Sequence, residues 1–97
     1  MAAFVYLLEC SNKTLYCGWT NDPENRLKVH NAGKGSRYTK AHLPVRMVYL
    51  EEMKDKRDAL SREFFIKHLT RVEKLELLDS DLNLIKDGKF KFSEISS

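Results

Sequence analysis

The chain has 97 residues, 42% of them hydrophobic and 32% charged, with a formal net charge of +3. That length supports one domain around one core, with no room for a second folding unit. The longest apolar run, Phe4 to Leu8, falls far short of the roughly 20 residues of a membrane helix, and the N-terminus has neither the basic start nor the cleavage pattern of a signal peptide. A cytoplasmic protein with no membrane partner is expected.

The net charge hides an asymmetry. From Arg26 to Leu50 there are six basic residues (Arg26, Lys28, Lys34, Arg37, Lys40, Arg46), two histidines and no acid. The remainder holds 17 − 6 = 11 basic residues against 14 acidic ones, so the positive charge is concentrated in one segment. Such a patch suits a polyanion, although a basic stretch can also be a solvated face with no ligand.

Along the chain, AFVYLLEC (3–10) is an apolar run ended by the turn-like SNKT, and LYCGWT follows. This predicts a β-hairpin, with the first strand apolar on both faces and therefore central in the sheet. Gly18 permits a close backbone approach. A short turn would set Cys10 near Leu15 and Cys17 near Leu8, so the two cysteines are not opposite and are expected to be free thiols; without a Cys/His cluster they make no zinc site.

NDPENRLKVHNAGKG predicts a short helix, with Asn21 or Asp22 as N-cap, Pro23 in the first turn and a stop at Gly33. KGSRYTKAHLP is polar and glycine-marked, a basic loop or one helical turn before Pro44. VRMVYLEE supplies a third strand. A helix starting at Asp55 runs through RDALSREFFIKHL, and the capping box TRVE opens another at Thr70. In the tail, Asp87-Gly88 between partly alternating residues predicts a small hairpin or a docked extended strand, or else disorder of the last residues.

Arg26 and His30, four apart, share one face of the first helix just after the strand carrying Tyr16. Glu63 shares a stripe with Leu60 and Phe64, a face expected to turn toward the sheet, with Lys67 one turn on as an intrahelical partner. Singly these are ordinary residues: half-buried tyrosines, a helix-end histidine, a solvated arginine. Together they supply a phenol or imidazole to handle a proton, a guanidinium for a phosphate oxygen and a carboxylate for a hard cation.

Tyr6 in VYL, Tyr16 to Gly18 in YCG, then Thr20, Arg26, His30, Asn31 and Glu63 resemble the GIY-YIG nuclease superfamily, in particular its short stand-alone bacterial branch. HNAGKGSRYTKAHLPVRMVYLEE and REFFIKHLTRVEK resemble that branch as well, so the likeness spans roughly residues 3 to 78. Phe4-Val5 stands where the first triplet has glycine and isoleucine, and Cys17 where the second has isoleucine. The resemblance implies an α+β fold, a three-stranded antiparallel sheet flanked by helices, with a nuclease-like domain over 1–80 and a tail over 81–97. It implies an endonuclease hydrolysing phosphodiester bonds with one Mg²⁺ or Mn²⁺, weakly bound until substrate arrives, in a DNA repair or recombination setting.

Carried over by position, the resemblance makes Glu63 the metal ligand and Arg26 the holder of the scissile phosphate. Tyr6 or Tyr16 is the base toward water, with His30 assisting. A free phenol of pKa about 10 is ionised only about one part in a thousand at neutral pH, so its surroundings have to ease proton loss. Lys34, Arg37, Lys40 and Arg46, with Tyr38 interleaved, are expected to follow a nucleic-acid backbone, DNA ahead of RNA, while the tyrosine stacks on a base. Sequence preference would then fall to a targeting protein partner. The rival readings are a non-catalytic nucleic-acid-binding module on the same fold, and a domain whose basic loop docks an acidic protein.

Overall fold

A computed structural model describes residues 2–86, 88–90 and 92. Its elements in chain order are β1 (Ala3–Glu9), β2 (Leu15–Thr20), α1 (Pro23–Asn31), α2 (Arg37–Lys40), β3 (Arg46–Met53), α3 (Lys56–Lys67) and α4 (Arg71–Leu77). The three strands form one antiparallel sheet in the order β2-β1-β3, which puts the strand that is apolar on both faces in the centre, as its sequence requires. The chain is thus α+β, a sheet with helices on both sides.

The hairpin register differs by one residue from the sequence expectation. Leu7 faces Cys17 and Leu8 faces Tyr16. The cause is Lys13, which takes φ +70°. Its amide donates to the Cys10 carbonyl, and the Cys10 amide donates to the Thr14 carbonyl, so residues 11–13 make the turn where the expected register needs 11–14. Both thiols are buried and free, and they fall on opposite faces of the sheet.

Those faces bury two separate cores. Val5, Leu7, Cys17 and Tyr49 pack against Ala59 and Ile66 of α3, joined by Leu77 and Leu78. Tyr6, Leu8, Cys10, Met47 and Leu50 face α1 and the C-terminal segment, where Leu27, Leu84, Phe90 and Phe92 cover them. The helix boundaries follow their caps. Asp22 accepts from the Asn25 amide with Pro23 next to it, Asp55 accepts from Asp58, and Thr70 with Glu73 forms the reciprocal capping box.

Beyond α4 the described residues form turns, with no strand among them. Asn83, fully buried, completes the outer edge of β3: its Oδ1 accepts from the Leu50 amide and its Nδ2 donates to the Val48 carbonyl. The Leu84 amide then donates to the Leu50 carbonyl. One amide side chain thereby does the pairing of a fourth strand and blunts that edge. Of the expected Asp87-Gly88 turn, Gly88 has φ +65°, while Asp87 and residues 93–97 lie outside the described residues.

Candidate active site

The site grows from the face of the sheet that carries α1. Tyr6 and Gly18 are directly paired across β1 and β2, and the phenol fills the space a side chain at Gly18 would take. Its hydroxyl meets His30 Nε2 at 3.0 Å and accepts from Arg26 Nε at 3.4 Å. The opposite ring nitrogen of His30, Nδ1, lies 2.9 Å from Thr39 Oγ1 on α2. Arg26 Nη2 also donates to the Gly35 carbonyl at 3.2 Å. Nη1 has no protein partner among the described residues. One polar chain therefore runs from a guanidinium through a phenol and an imidazole to a threonine.

Tyr6, His30 and Thr39 are all buried, at 1%, 0% and 0% exposure. Burial pushes the Tyr6 phenol above its ordinary value of 10, with the hydrogen bond and charge of Arg26 working against it. Burial, helped by the Arg26 charge, lowers His30 from 6.5 to about 4, so the ring is neutral at pH 7. The segment between α1 and β3 is laid tightly over this imidazole. A β-carbon at Gly35 would lie 2.5 Å from His30 Cγ, so only glycine fits there. Asn31 fastens both ends of the segment, its side chain accepting from the Val45 amide and donating to the Val45 carbonyl.

Tyr16 is placed differently. It is half-buried, packs edge-on against His30 with centroids 5.4 Å apart, and lies nearly parallel to exposed Tyr38 at 6.5 Å. Its hydroxyl makes no hydrogen bond among the described residues. Of the two phenols, Tyr6 is committed to the interior and Tyr16 is open to a ligand. Tyr38 is anchored by donating to Thr14 Oγ1, and Lys34, Arg37 and Lys40 are exposed beside it. Arg46 is exposed too, but its guanidinium is drawn to Glu9 Oε1 at 2.8 Å, which neutralises part of its charge.

Glu63 lies behind β2. The helix face turned to the sheet is Ala59, Glu63 and Ile66, whereas Leu60 and Phe64 are 41% and 66% exposed. The expected Leu60–Phe64 stripe is thus on the solvent side. Two contacts set this rotation: Arg62 Nε donates to Glu51 on β3 at 3.0 Å, and the Cys17 thiol donates to the Glu63 carbonyl at 3.8 Å. The small Ala59 side chain then lets the helix sit close to the sheet. The Glu63 carboxylate is only 16% exposed and pairs with Lys67 at 3.4 Å. Burial, then the Glu63 charge, push the Cys17 thiol up to about 12. Tyr6, Tyr16, Arg26 and His30 are brought together; Glu63 shares β2 with them but adjoins its opposite face.

The donors on hand suit a hard cation only in company. No group of three or more His, Cys, Asp or Glu able to hold a metal exists among the described residues, and both His30 nitrogens are engaged. Glu63 offers a single carboxylate, which fits an Mg²⁺-like ion that keeps several waters and takes further oxygens from a phosphate.

Against known proteins, the GIY-YIG catalytic domain matches residues 2–76. The chain belongs to the GIY-YIG family. It is 51% identical over 77 residues to a UPF0213 protein of Clostridium perfringens, covering 79% of this chain and 83% of that one. It is 47% identical over 93 residues to the UPF0213 protein YsiG of Lactococcus lactis, covering 95% and 88%. Among solved structures, the solution NMR structure of a UPF0213 protein from Bacillus halodurans superposes with a TM-score of 0.57 at 33% identity, covering 96% of this chain and all of that one. A GIY-YIG domain carries nuclease-type chemistry on nucleic acid. Among the described residues, no helix is long and apolar enough to cross a membrane.

Two residues of this site escape a reading of the sequence: Gly35 and Thr39. Each is ordinary by type in a polar segment, and only tertiary contacts to His30 reveal its part.

Proposed function

We propose that the chain is an endonuclease that hydrolyses phosphodiester bonds in DNA with the aid of Mg²⁺ or Mn²⁺. The observation that carries this reading is the guanidinium of Arg26, held by Tyr6 and Gly35 with Nη1 left over, in a cluster with His30, against which the open phenol of Tyr16 packs. A held guanidinium stabilises charge developing on a phosphate without rearranging during the reaction.

In this scheme Tyr16 faces substrate and, having given its own proton to solvent, takes a proton from the water whose oxygen bonds to phosphorus as the P–O bond to the leaving oxygen breaks, while buried Tyr6 and His30 position Arg26. Glu63 would hold the cation, which supplies charge neutralisation on the phosphate oxygens. Because β2 is an edge strand, ligand oxygens passing its free side have access to both faces. Lys34, Arg37 and Lys40 take neighbouring phosphates, and Tyr38 offers a ring face to a base. Such contacts fix position rather than sequence, so little sequence preference is expected, and cleavage would be aimed by DNA structure or by a targeting partner, as in repair or recombination.

The test is nicking of supercoiled plasmid and of single-stranded DNA with Mg²⁺, with Mn²⁺ and with chelator, by the wild type and by Glu63→Ala. Metal-dependent cleavage lost in the variant supports the enzyme. A specific observation favours a second reading: the Glu63 carboxylate is paired with Lys67 behind the strand, as in a binding module that needs no metal. Undiminished DNA binding by both proteins without cleavage by either establishes that module instead.

A further inference from the structure

The chain Arg26–Tyr6–His30–Thr39 has only one consistent assignment of its protons. Arg26 is always a donor, so the Tyr6 oxygen accepts from its Nε. If His30 carried its proton on Nε2, it too would donate to the Tyr6 oxygen, and the phenol's own hydrogen would be left inside the protein, at 1% exposure, without an acceptor among the described residues. That orphan hydrogen is costly. With the proton on Nδ1, every donor finds an acceptor. Tyr6 donates to Nε2, Nδ1 donates to Thr39 Oγ1, and the Thr39 hydroxyl donates to the Ser36 carbonyl at 3.4 Å or to Ser36 Oγ at 3.0 Å. The serine end accommodates either arrangement; the tyrosine end decides.

We infer that Thr39 is a positioning residue of the proposed nuclease site: from α2 it holds the His30 proton on Nδ1, so that Nε2 takes the Tyr6 hydroxyl and turns the phenol oxygen's remaining lone pair up to Arg26. The loop carrying the DNA-facing cations is thereby coupled to the guanidinium that meets the phosphate. Ser36 caps α2 by accepting from the Thr39 amide at 3.1 Å, so a displacement of that loop reaches the His30 Nδ1 proton through the Thr39 hydroxyl, beside the packing of Gly35 on the ring. The inference rests on the nuclease reading for its consequence in turnover, but the tautomer itself is a property of the free protein.

The experiment is long-range ¹⁵N–¹H correlation NMR of the imidazoles in the full chain at neutral pH, which reports which nitrogen carries the proton. We expect Nδ1–H for His30 in the wild type and in Thr39→Ser, and a shift of population to Nε2–H in Thr39→Val, which lacks the acceptor. Cleavage by Thr39→Val is expected to fall roughly tenfold, in kcat rather than KM, and to recover in Thr39→Ser. A wild-type proton on Nε2 overturns the inference, as does a folded Thr39→Val with wild-type tautomer and turnover. Should the valine variant fail to fold, the wild-type spectrum still decides. A wild type that shows Nδ1–H yet never cleaves DNA counts against the nuclease reading and leaves the tautomer assignment standing.

Discussion

Gly18 and Tyr6 share one volume. A β-carbon on Gly18 would lie 2.5 Å from Cζ of the Tyr6 ring, so the strand can carry no side chain there while the phenol keeps its hydrogen bonds to His30 and Arg26. Gly18→Ala is therefore expected to push the ring aside, destabilise the fold by about 1–3 kcal/mol and lower cleavage beyond what the lost stability explains. Thermal unfolding together with turnover measured well below the transition checks both parts. An alanine variant of wild-type stability and rate would mean the phenol is not pinned.

Arg26 holds its place through two different nitrogens, Nε to Tyr6 and Nη2 to Gly35. A lysine ammonium has three donors, but all on one nitrogen, which cannot occupy the separate positions of Nε, Nη2 and Nη1 at once. Arg26→Lys should therefore resemble Arg26→Ala. Both are expected to lower kcat by roughly 10²–10³-fold while changing DNA affinity by far less, because the contact strengthens as charge develops. Steady-state kinetics beside fluorescence anisotropy separates the two effects; equal losses in rate and affinity would make Arg26 a plain phosphate anchor.

His30 makes stability depend on acid. Its pKa is lowered from 6.5 to about 4 by burial and then by Arg26. Between those values the unfolded chain binds the extra proton and the folded chain does not, so stability rises with pH there. The contribution is fully present above about pH 6.5 and is lost as pH falls toward about 4, at up to roughly 1.4 kcal/mol per pH unit for one group. Urea unfolding at several pH values reads this slope, and His30→Gln should flatten it. An unchanged slope in the variant would assign the acid sensitivity to other groups.

Lys40 is exposed and outside the polar chain. Lys40→Ala should weaken DNA binding, lower the salt slope of log Kd by about 0.9 and leave the rate at saturation unchanged. Titrations across a range of salt concentrations check it, and a slope equal to that of the wild type would remove Lys40 from the DNA contact.

Asn83 accepts from the Leu50 and Ile85 amides and donates to the Val48 and Leu78 carbonyls. Asn83→Ala leaves buried backbone groups unpaired at the edge of β3, with an expected loss of about 2–4 kcal/mol. Hydrogen exchange at Leu50 should accelerate at the same time. Continued protection of that amide would show that β3 is closed by something else.

Much of this is legible in the amino-acid sequence. The central strand declared itself by being apolar on both faces; Asp55 and Thr70 marked helix starts, and the first helix start was narrowed to Asn21 or Asp22, of which Asp22 is the cap. What stayed hidden depended on contacts between distant residues. Asn83 sits in a polar stretch that reads as loop, yet bonds to Leu50, 33 residues away. The rotation of α3 was misread because Leu60 and Phe64 are more apolar than Ala59, whereas the Arg62–Glu51 bond and the close approach at Ala59 decide which side faces the sheet. The hairpin register turned on a single left-handed residue, Lys13. Within the site, the tyrosines, Arg26 and His30 were recognisable by type and order; that one phenol is sealed in and the other open depends on the contacts of Tyr6 with His30 and Arg26, which lie 24 and 20 residues away.

The central claim is that Glu63, behind β2, and the Arg26–Tyr16 pair in front of it serve one metal-assisted reaction on DNA. Paramagnetic broadening by Mn²⁺ in amide NMR spectra, recorded with and without a non-cleavable phosphorothioate oligonucleotide, tests this most directly. The account predicts weak effects from Mn²⁺ alone, then joint broadening around Glu63, Tyr16 and Arg26 once the oligonucleotide is present, abolished in Glu63→Gln. Broadening that never reaches both faces of β2, or that persists unchanged in Glu63→Gln, would contradict it.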